Sequence, residues 1–354
     1  MSTLDGSKIL EEDQCNIATA AAVDWQKLHN STILITGATG LIGATLVRGL
    51  MAYNDMNAGN IQVIALIRNK EKANALFEKY IAKGWVKLIV GDIMQEIVTD
   101  ESVDYIIHGA SETSSKAFVE KPVETILTAV EGSKNLLELA HKNQVKSMVY
   151  MSSMEVYGTP NDSEPLTEDK MGYLNPMAVR SSYSESKRMV ENLCVAYASE
   201  YHVPVKILRL TQTFGPGVLL DDGRVFAEFA RCATHGKDIC LQTQGKTKRM
   251  YLYTADAVVA LLTVLTKGKN GEAYNAANSE TFCSIREMAE MVAAEFGKGN
   301  CQVRIAIPDT PNTSYNPTSE IFMDMSKIEK LGWKAEKGLR EMYERMIYER
   351  TFGL

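Results

Sequence analysis

The segment TILITGATGLIGATLV (32–47) constrains the fold of this chain more than any other. A short apolar run leads directly into closely spaced glycines and then into a helical pattern. Such glycines allow a tight turn, a close approach of the backbone to a pyrophosphate, and close helix–strand packing, while the helix N-terminus supplies amide donors. The segment therefore predicts a dinucleotide site. Its predicted binding residues are Gly37, Thr39, Gly40, Leu41, Ile42 and Gly43.

Apolar runs that alternate with helical patterns predict the rest of the sheet. The Val/Ile/Leu-rich runs occupy residues 31–36, 61–67, 86–90, 103–108, 146–152 and 205–210. Helical patterns follow Gly40 and cover about 122–142 and 182–201. Continuous apolar strands separated by helices indicate a parallel sheet covered on both faces. We therefore predict an α/β fold of the Rossmann-like, doubly wound kind.

The domain organisation follows from where this pattern stops. After residue 212 the sequence becomes mixed and rich in turns, which suggests a smaller substrate-binding lobe that interleaves with the sheet domain. Residues 17–30 (IATAAAVDWQKLHN) read as an amphipathic helix in an extension that packs on the domain. The predicted units are an N-terminal helical extension (1–30), a Rossmann domain (31–211 plus about 250–278) and a substrate lobe (about 212–249 and 279–354).

Composition excludes several classes of function. The formal net charge is −6 without a Lys/Arg run, which argues against a nucleic-acid surface. The six cysteines form no CxxC pair and the five histidines are dispersed, so we expect free thiols and no metal site. No stretch approaches the ~18 apolar residues of a membrane span. The polar, acidic N-terminus is unlike a secretory signal, so we expect a cytoplasmic location.

The ends of the next strands supply further candidates for cofactor binding. Arg68 closes the second run, where a guanidinium suits a 2′-phosphate and makes NADP plausible; the alternative is a solvated arginine beside bound NAD. Asp92 could accept from an adenine amino group, or it could cap a helix. Backbone is expected to approach the cofactor at Ile93, Gly109, Ala110 and Ser111.

The strongest catalytic signal is SSYSESKR (181–188), which places Tyr183 and Lys187 four residues apart on one helical face. A tyrosine with a pKa near ~10 is a poor base at neutral pH. A neighbouring ammonium and a positive nicotinamide ring favour the phenolate, so we expect them to lower the pKa of Tyr183. Lys187 could also hold the nicotinamide ribose.

Combined with these features, further motifs give the chain a family resemblance. They are SSMEVYG (152–158), RLTQTFGPG (209–217), TKRMYLYTADAV (247–258), GEAYNAAN (271–278) and KIEKLGW (327–333). Over roughly residues 31–345 the chain resembles the extended short-chain dehydrogenase/reductases of the NAD-dependent epimerase/dehydratase family, which modify nucleotide sugars. The resemblance implies tightly bound, recycled NAD or NADP, a nucleotide-diphosphate sugar as substrate, and a homodimer formed through a four-helix bundle from 122–142 and 182–201.

The resemblance also implies roles for single residues. Ser153 matches the residue that hydrogen-bonds the sugar 4-hydroxyl beside Tyr183, and Arg249 matches an arginine near the diphosphate or sugar. The alternatives are a strand-end serine and an exposed arginine. The remaining substrate-binding candidates are Arg180, Gln212 and Arg224.

Glu155 and Met154 bear on the type of reaction. In this family a Glu at this place is typical of 4,6-dehydratases and UDP-glucuronate decarboxylases, although it could merely orient its loop. The related dehydratases have an Asp where Met154 stands, and a thioether cannot donate a proton. The sequence therefore favours decarboxylase-like or dehydratase-like chemistry after transient C4 oxidation. A 4-epimerase, a keto-sugar reductase and a non-catalytic NAD(P)-binding scaffold are the alternatives.

Overall fold

The structure is a computed structural model that describes residues 6–308 and 318–349. Three short parts of the predicted units lie outside the described residues: 1–5 of the extension, and 309–317 and 350–354 of the substrate lobe. None of the described helices is long and apolar enough to cross a membrane.

The described strands, in chain order, are β1 (Thr32–Thr36), β2 (Gln62–Ile67), β3 (Val86–Val90), β4 (Tyr105–His108), β5 (Ser147–Ser153), β6 (Val205–Leu210), β7 (Gln212–Phe214), β8 (Ile239–Leu241), β9 (Lys248–Tyr253), β10 (Ala273–Ala276), β11 (Asn278–Ser284), β12 (Val303–Ile305) and β13 (Glu320–Ile321). The α-helices are α1 (Gly6–Ala18), α2 (Leu41–Asn57), α3 (Lys70–Ala82), α4 (Ala117–Glu120), α5 (Pro122–Lys142), α6 (Ser182–Glu200), α7 (Val225–Thr234), α8 (Thr254–Lys267), α9 (Ile285–Phe296), α10 (Ser326–Glu329) and α11 (Leu339–Tyr348). Short 3-10 helices cover Trp25–Leu28, Met154–Tyr157 and Val179–Ser181.

The main sheet is parallel throughout and has the order β10-β6-β5-β4-β1-β2-β3. Helices α2, α3, α5, α6 and α8 connect its strands, and apolar clusters cover both of its faces. The predicted α/β class is therefore confirmed. The strand order reverses between β1 and β4, which opens a crevice at the carboxyl ends of these strands.

A second sheet carries the predicted substrate residues Gln212 and Arg249. It has the order β11-β9-β13, with β7 added in parallel to β9, and a separate pair joins β12 to β8. Strand β7 follows β6 almost directly in the chain, and β9 precedes the helix that leads to β10. The chain thus passes between the two sheets several times. The limits of the domains stay a prediction.

The N-terminal helix lies earlier than the sequence suggested. The prediction placed a helix in 17–30, whereas α1 ends at Ala18 and only a 3-10 turn forms at Trp25–Leu28. Helix α1 approaches α2 closely, because a Cβ on Gly49 would lie 2.5 Å from the Ile17 side chain. Trp25 stacks on Tyr53 with ring centroids 4.0 Å apart. Tertiary contacts such as this stack, rather than a regular helix, thus fix the position of the apolar residues that follow α1.

Candidate active site

The glycine turn after β1 is pressed against the end of β4. Gly37 has φ +72°, and a Cβ there would lie 2.7 Å from the carbonyl carbon of Gly109. A Cβ on Gly43 would lie 2.2 Å from the carbonyl oxygen of Gly37. Side chains are therefore excluded at Gly37 and Gly43, and the N-terminus of α2, with Gly40 as N-cap, opens beside the turn. This cradle fits the pyrophosphate of a dinucleotide.

A buried hydrogen-bond chain fixes the β4 end beneath the turn. Thr36 Oγ1 accepts from the amide of Ala110 at 3.1 Å and forms a hydrogen bond with His108 Nδ1 at 2.8 Å. His108 Nε2 forms a hydrogen bond with Ser133 Oγ at 2.9 Å. Burial, together with the charge of Lys187, lowers the pKa of His108 to about 3, so the imidazole is neutral. The sequence analysis missed this role of His108.

The glycine turn provides a first prediction. We expect Gly37→Ala protein to be purified without bound nucleotide and to lose the increase in Tm caused by added NAD, because its methyl group would meet Gly109. A hundredfold excess of ligand over its Kd stabilises a binding protein by about 2.7 kcal/mol. Nucleotide released on denaturation and thermal melts measure both effects.

Gly84→Ala is the matched control for this prediction. Gly84 has nearly the same backbone angle, φ +73°, but nothing lies within 4 Å of a Cβ built on it. Both variants suffer about 1–2 kcal/mol of left-handed backbone strain, and only Gly37→Ala adds the clash. Equal NAD binding by the two variants would contradict the proposed cradle.

The other candidates for cofactor binding stand at the ends of neighbouring strands. Arg68 is exposed after β2. Asp92 is exposed after β3, and its Oδ1 accepts from the amide of Met94 at 2.9 Å, so it closes a turn rather than capping a helix. Ile93 is buried under α5, where a Cβ on Gly132 would meet it at 2.5 Å. The half-buried Ala110 and Ser111 follow β4. Their contacts with a cofactor stay a prediction.

Lys187 reaches from α6 to the end of β5. Its Nζ donates to the carbonyl oxygen of Met151 at 2.8 Å and lies 5.7 Å from the ring centroid of Tyr183. The side chain is buried, and burial lowers the pKa of Lys187 to about 8, against the opposing effect of Glu191. The ammonium thus faces both the strand end and the phenol, as the spacing of four residues predicted.

The expected lowering of the Tyr183 pKa is wrong for the protein as described. Burial raises this pKa, the negative charge of Glu155 raises it further, and a hydrogen bond with Ser153 and the charge of Arg180 lower it. Lys187 is not among the groups that shift it. Sequence spacing revealed the lysine, but it could not reveal the depth of burial or the carboxylate beside the phenol.

Glu155 occupies a defined place beside Tyr183. Its Oε1 accepts from Arg180 Nη2 at 3.0 Å, and its Oε2 accepts from Ser184 Oγ at 3.0 Å. Its amide donates to Ser153 Oγ at 3.2 Å, which caps the 3-10 helix after β5. The structure therefore brings together the predicted residues Ser153, Glu155, Arg180 and Tyr183. The sequence analysis missed Ser184, although it directly follows Tyr183 in the motif SSYSESKR.

Met154 turns away from this cluster into the core. Its side chain is 5% exposed, and its Sδ lies 3.2 Å from Thr211 Oγ1. The Thr211 hydroxyl donates its proton to the carbonyl oxygen of Met250. No proton donor therefore stands at this position of the 3-10 helix, which agrees with the inference drawn from the residue type.

The remaining predicted substrate residues fall into two groups, with Gln212 and Arg249 on the second sheet and Arg224 at the start of α7. Gln212 pairs in register with Tyr251, and Arg249 precedes Tyr251 by two residues, so Gln212 and Arg249 lie on the same face. Arg249 Nε is buried and has no hydrogen-bond partner within the described residues. Arg224 instead forms a two-pronged pair with Asp222, at 2.6 Å and 3.0 Å. Most of its guanidinium is therefore already engaged.

The comparison with known proteins identifies the family. A sequence model of the NAD dependent epimerase/dehydratase family matches residues 33–277. UDP-glucuronic acid decarboxylase 6 of Arabidopsis thaliana is 33% identical over 313 residues, which cover 88% of this chain and 86% of that protein. The chain belongs to the NAD-dependent epimerase/dehydratase family. The family resemblance inferred from the motifs is thereby confirmed.

Solved structures of the family share the fold. The epimerase Mth375 of Methanothermobacter thermautotrophicus matches with a TM-score of 0.79 at 22% identity, over 94% of this chain and 95% of that chain. A dTDP-glucose 4,6-dehydratase of Streptomyces venezuelae, solved with NAD, matches with a TM-score of 0.73 at 24% identity, over 90% and 97%. The glycine turn, Glu155 and the Tyr183/Lys187 pair all lie within the region that matches the family model. In the residues that the structure describes, no group of three or more His, Cys, Asp or Glu side chains could hold a metal ion.

Proposed function

We propose that this protein is an NAD-dependent decarboxylase of a nucleotide-diphosphate sugar that carries a carboxylate at C6. UDP-glucuronate is the first substrate to test, since the curated relatives are named as decarboxylases of this compound. The reaction passes through a transient ketone at C4. The β-keto acid formed in this way loses C6 as CO₂.

The arrangement of Arg180 and Glu155 carries this proposal. The two side chains pair beside Tyr183 and are 12% and 18% exposed. Only Nη2 of Arg180 donates to Glu155, while its Nε and Nη1 are buried and have no partner within the described residues. A buried guanidinium with unused donors is complementary to a carboxylate, which it can bind through two parallel hydrogen bonds. A sugar acid supplies such a group.

Each residue of the cluster has its own role in the proposed reaction. Tyr183 takes the proton of the sugar 4-hydroxyl, and Ser153 binds the same oxygen through its own hydroxyl. Bound NAD supplies a hydride acceptor and donor at C4. Lys187, which donates to the Met151 carbonyl, would hold the nicotinamide ribose of bound NAD. Once C4 is a ketone, the C5–C6 bond breaks and CO₂ leaves, while the electron pair of that bond forms an enolate with the C4 carbonyl. Glu155 then relays a proton to C5 in place of the lost carboxyl group.

Arg68 bears on the choice between NAD and NADP. Its exposed guanidinium follows β2, where the ribose hydroxyls of a bound dinucleotide are read in this fold. We propose tightly held NAD as the cofactor, in keeping with the family, and NADP as the competing ligand favoured by Arg68. Mass analysis of the nucleotide released from the purified protein distinguishes the two.

The experiment that tests the proposed reaction is a substrate panel followed by mass spectrometry. The panel contains UDP-glucuronate, UDP-glucose, dTDP-glucose, CDP-glucose and GDP-mannose. Loss of CO₂ from the uronate supports the proposal. Loss of water from a neutral hexose would replace it by dehydration, and an unchanged mass with altered retention would replace it by epimerisation.

We further propose a cytoplasmic homodimer formed through α5 and α6. The two helices pack on each other, and α5 exposes Val123, Ile126 and Leu127 at a helical spacing beside Met189 of α6. A second copy would cover this face with the same two helices and form a four-helix bundle. The six cysteines are free, as expected for a reducing compartment.

Disruption of this face is the second prediction. Leu127→Arg should halve the mass measured by light scattering, because an unpaired charge would be buried between the copies. Met56→Arg is the control, since Met56 is exposed on α2, far from that face. A monomeric wild type, or a dimer that persists in Leu127→Arg, would refute the α5/α6 interface.

A further inference from the structure

Phe118 lies against the candidate catalytic residues, although neither the motifs nor the proposed reaction assigns it a role. It belongs to the short helix α4 between β4 and α5, and it is 3% exposed. Its ring stacks on that of Tyr183, with centroids 4.2 Å apart and planes 14° apart. The guanidinium carbon of Arg180 lies 4.8 Å from the same ring centroid. One aromatic ring therefore contacts both the phenol and the cation beside Glu155.

The backbone of Phe118 is fixed to the same helix as its ring. Ser182 Oγ, at the first turn of α6, donates to the carbonyl oxygen of Phe118 at 2.9 Å. Ser182 directly precedes Tyr183, so the chain of Phe118 and the ring of Phe118 both bind the N-terminal turn of α6. Two contacts, the ring stack and the hydrogen bond from Ser182, therefore fix the position of the ring relative to Tyr183.

Four charged or titratable groups face the phenol of Tyr183. They are Glu155 and Arg180 on one side, Lys187 from the next turn of α6, and Tyr150 from β5. Arg180 opposes the effect of Glu155 on the phenol, so its distance from both groups matters. Apart from its bond to Glu155, the ring of Phe118 is the contact that restrains the guanidinium within the described residues.

We propose that Phe118 is a positioning residue: its ring holds the Arg180 guanidinium on Glu155 and holds the Tyr183 phenol at the angle at which it meets Ser153. The proposal rests on the reaction proposed above. A stacked ring attracts a cation through its electron-rich face and restricts a second ring to a parallel plane. An aliphatic side chain of similar volume fills the space but provides neither restraint.

The test replaces the ring and keeps the bulk. In Phe118→Leu we expect kcat on the substrate identified by the panel to fall about tenfold, because proton transfer is misaligned, and KM to rise by a smaller factor, because Arg180 also binds the substrate carboxylate. Loosening of Arg180 removes a positive charge from the phenol, so the pH at which kcat reaches half of its maximum should rise. Phe77→Leu removes a buried ring of α3 that is remote from the site. It is the control for a general loss of packing.

A second readout does not depend on turnover. The side-chain Nε–H signal of Arg180, assigned by its loss in Arg180→Lys, should exchange slowly with solvent in the wild type and fast in Phe118→Leu, but stay slow in Phe77→Leu. Unchanged exchange together with an unchanged pH profile in Phe118→Leu would overturn the proposal. If the wild type converts nothing in the panel, the proposed function fails, and the exchange measurement still decides whether Phe118 positions Arg180.

Discussion

Tyr183→Phe is expected to reduce kcat by about 10²- to 10⁴-fold, the usual contribution of a general base. In the proposed reaction the phenol takes the proton of the sugar 4-hydroxyl. Its neighbours act on its pKa in opposite directions, since Glu155 raises it while Ser153 and Arg180 lower it. The ring itself should stay in place, because it stacks on Phe118. NAD content should be unchanged, since the glycine turn is untouched. Turnover of the panel substrate and nucleotide content measure the two outcomes.

Tyr150→Phe is the matched control for this prediction. Tyr150 is a buried tyrosine that also contacts Lys187, whose Nζ lies 4.6 Å from its ring centroid. Its hydroxyl has no hydrogen-bond partner in the described part of the chain, so its removal should leave stability within about 1 kcal/mol and kcat nearly unchanged. Equal losses of activity in the two variants would mean that a tyrosine hydroxyl near Lys187 matters only for packing, and Tyr183 would lose its role as base.

The sheet could be predicted because its strands carry their own signal. Runs such as 86–90 and 205–210 are rich in Val, Ile and Leu, and the structure places β3 and β6 over the same residues. A strand of a parallel sheet covered by helices on both faces buries most of its side chains, so its apolar residues make it visible in the sequence. The long amphipathic pattern at 122–142 likewise coincides with α5, because a helix that buries one face shows that face as a periodic apolar pattern. Local patterning sufficed for these elements.

The parts that failed depend on contacts between distant segments. The apolar residues of 17–30 resemble a helix, but Trp25 is held by stacking on Tyr53 from α2, which no local pattern announces. The pKa of Tyr183 likewise depends on burial and on Glu155, which stands 28 residues earlier in the chain. Phe118 contacts Tyr183 only because α4 folds onto α6. Sequence spacing identifies groups on one helix face and gives no information about what packs against that face.

Glu155→Gln is expected to abolish CO₂ release, lowering it by about 10²-fold or more, while oxidation at C4 persists. The amide keeps the size of the side chain and can still accept a hydrogen bond from Arg180, but it cannot carry the proton that C5 must receive when CO₂ leaves. Reduced cofactor, detected by its absorbance, should therefore build up when the uronate is added. Loss of the negative charge also lowers the pKa of Tyr183, because Glu155 raises that pKa in the wild type. The pH at which C4 oxidation reaches half of its maximum rate should fall accordingly.

The accumulation of reduced cofactor distinguishes a carboxylate that takes part in the reaction from one that is merely structural. If Glu155 only oriented its loop, the variant would slow every step together, and no reduced cofactor would accumulate. Glu12→Gln controls for the loss of an ion pair, since Glu12 forms another arginine–glutamate contact of 3.0 Å, with Arg345, away from the site. Full CO₂ release in Glu155→Gln would show that the β-keto acid breaks down without the carboxylate. Tyr183 would then have to deliver the proton to C5. The position of Glu155 would be explained by its ion pair with Arg180 alone.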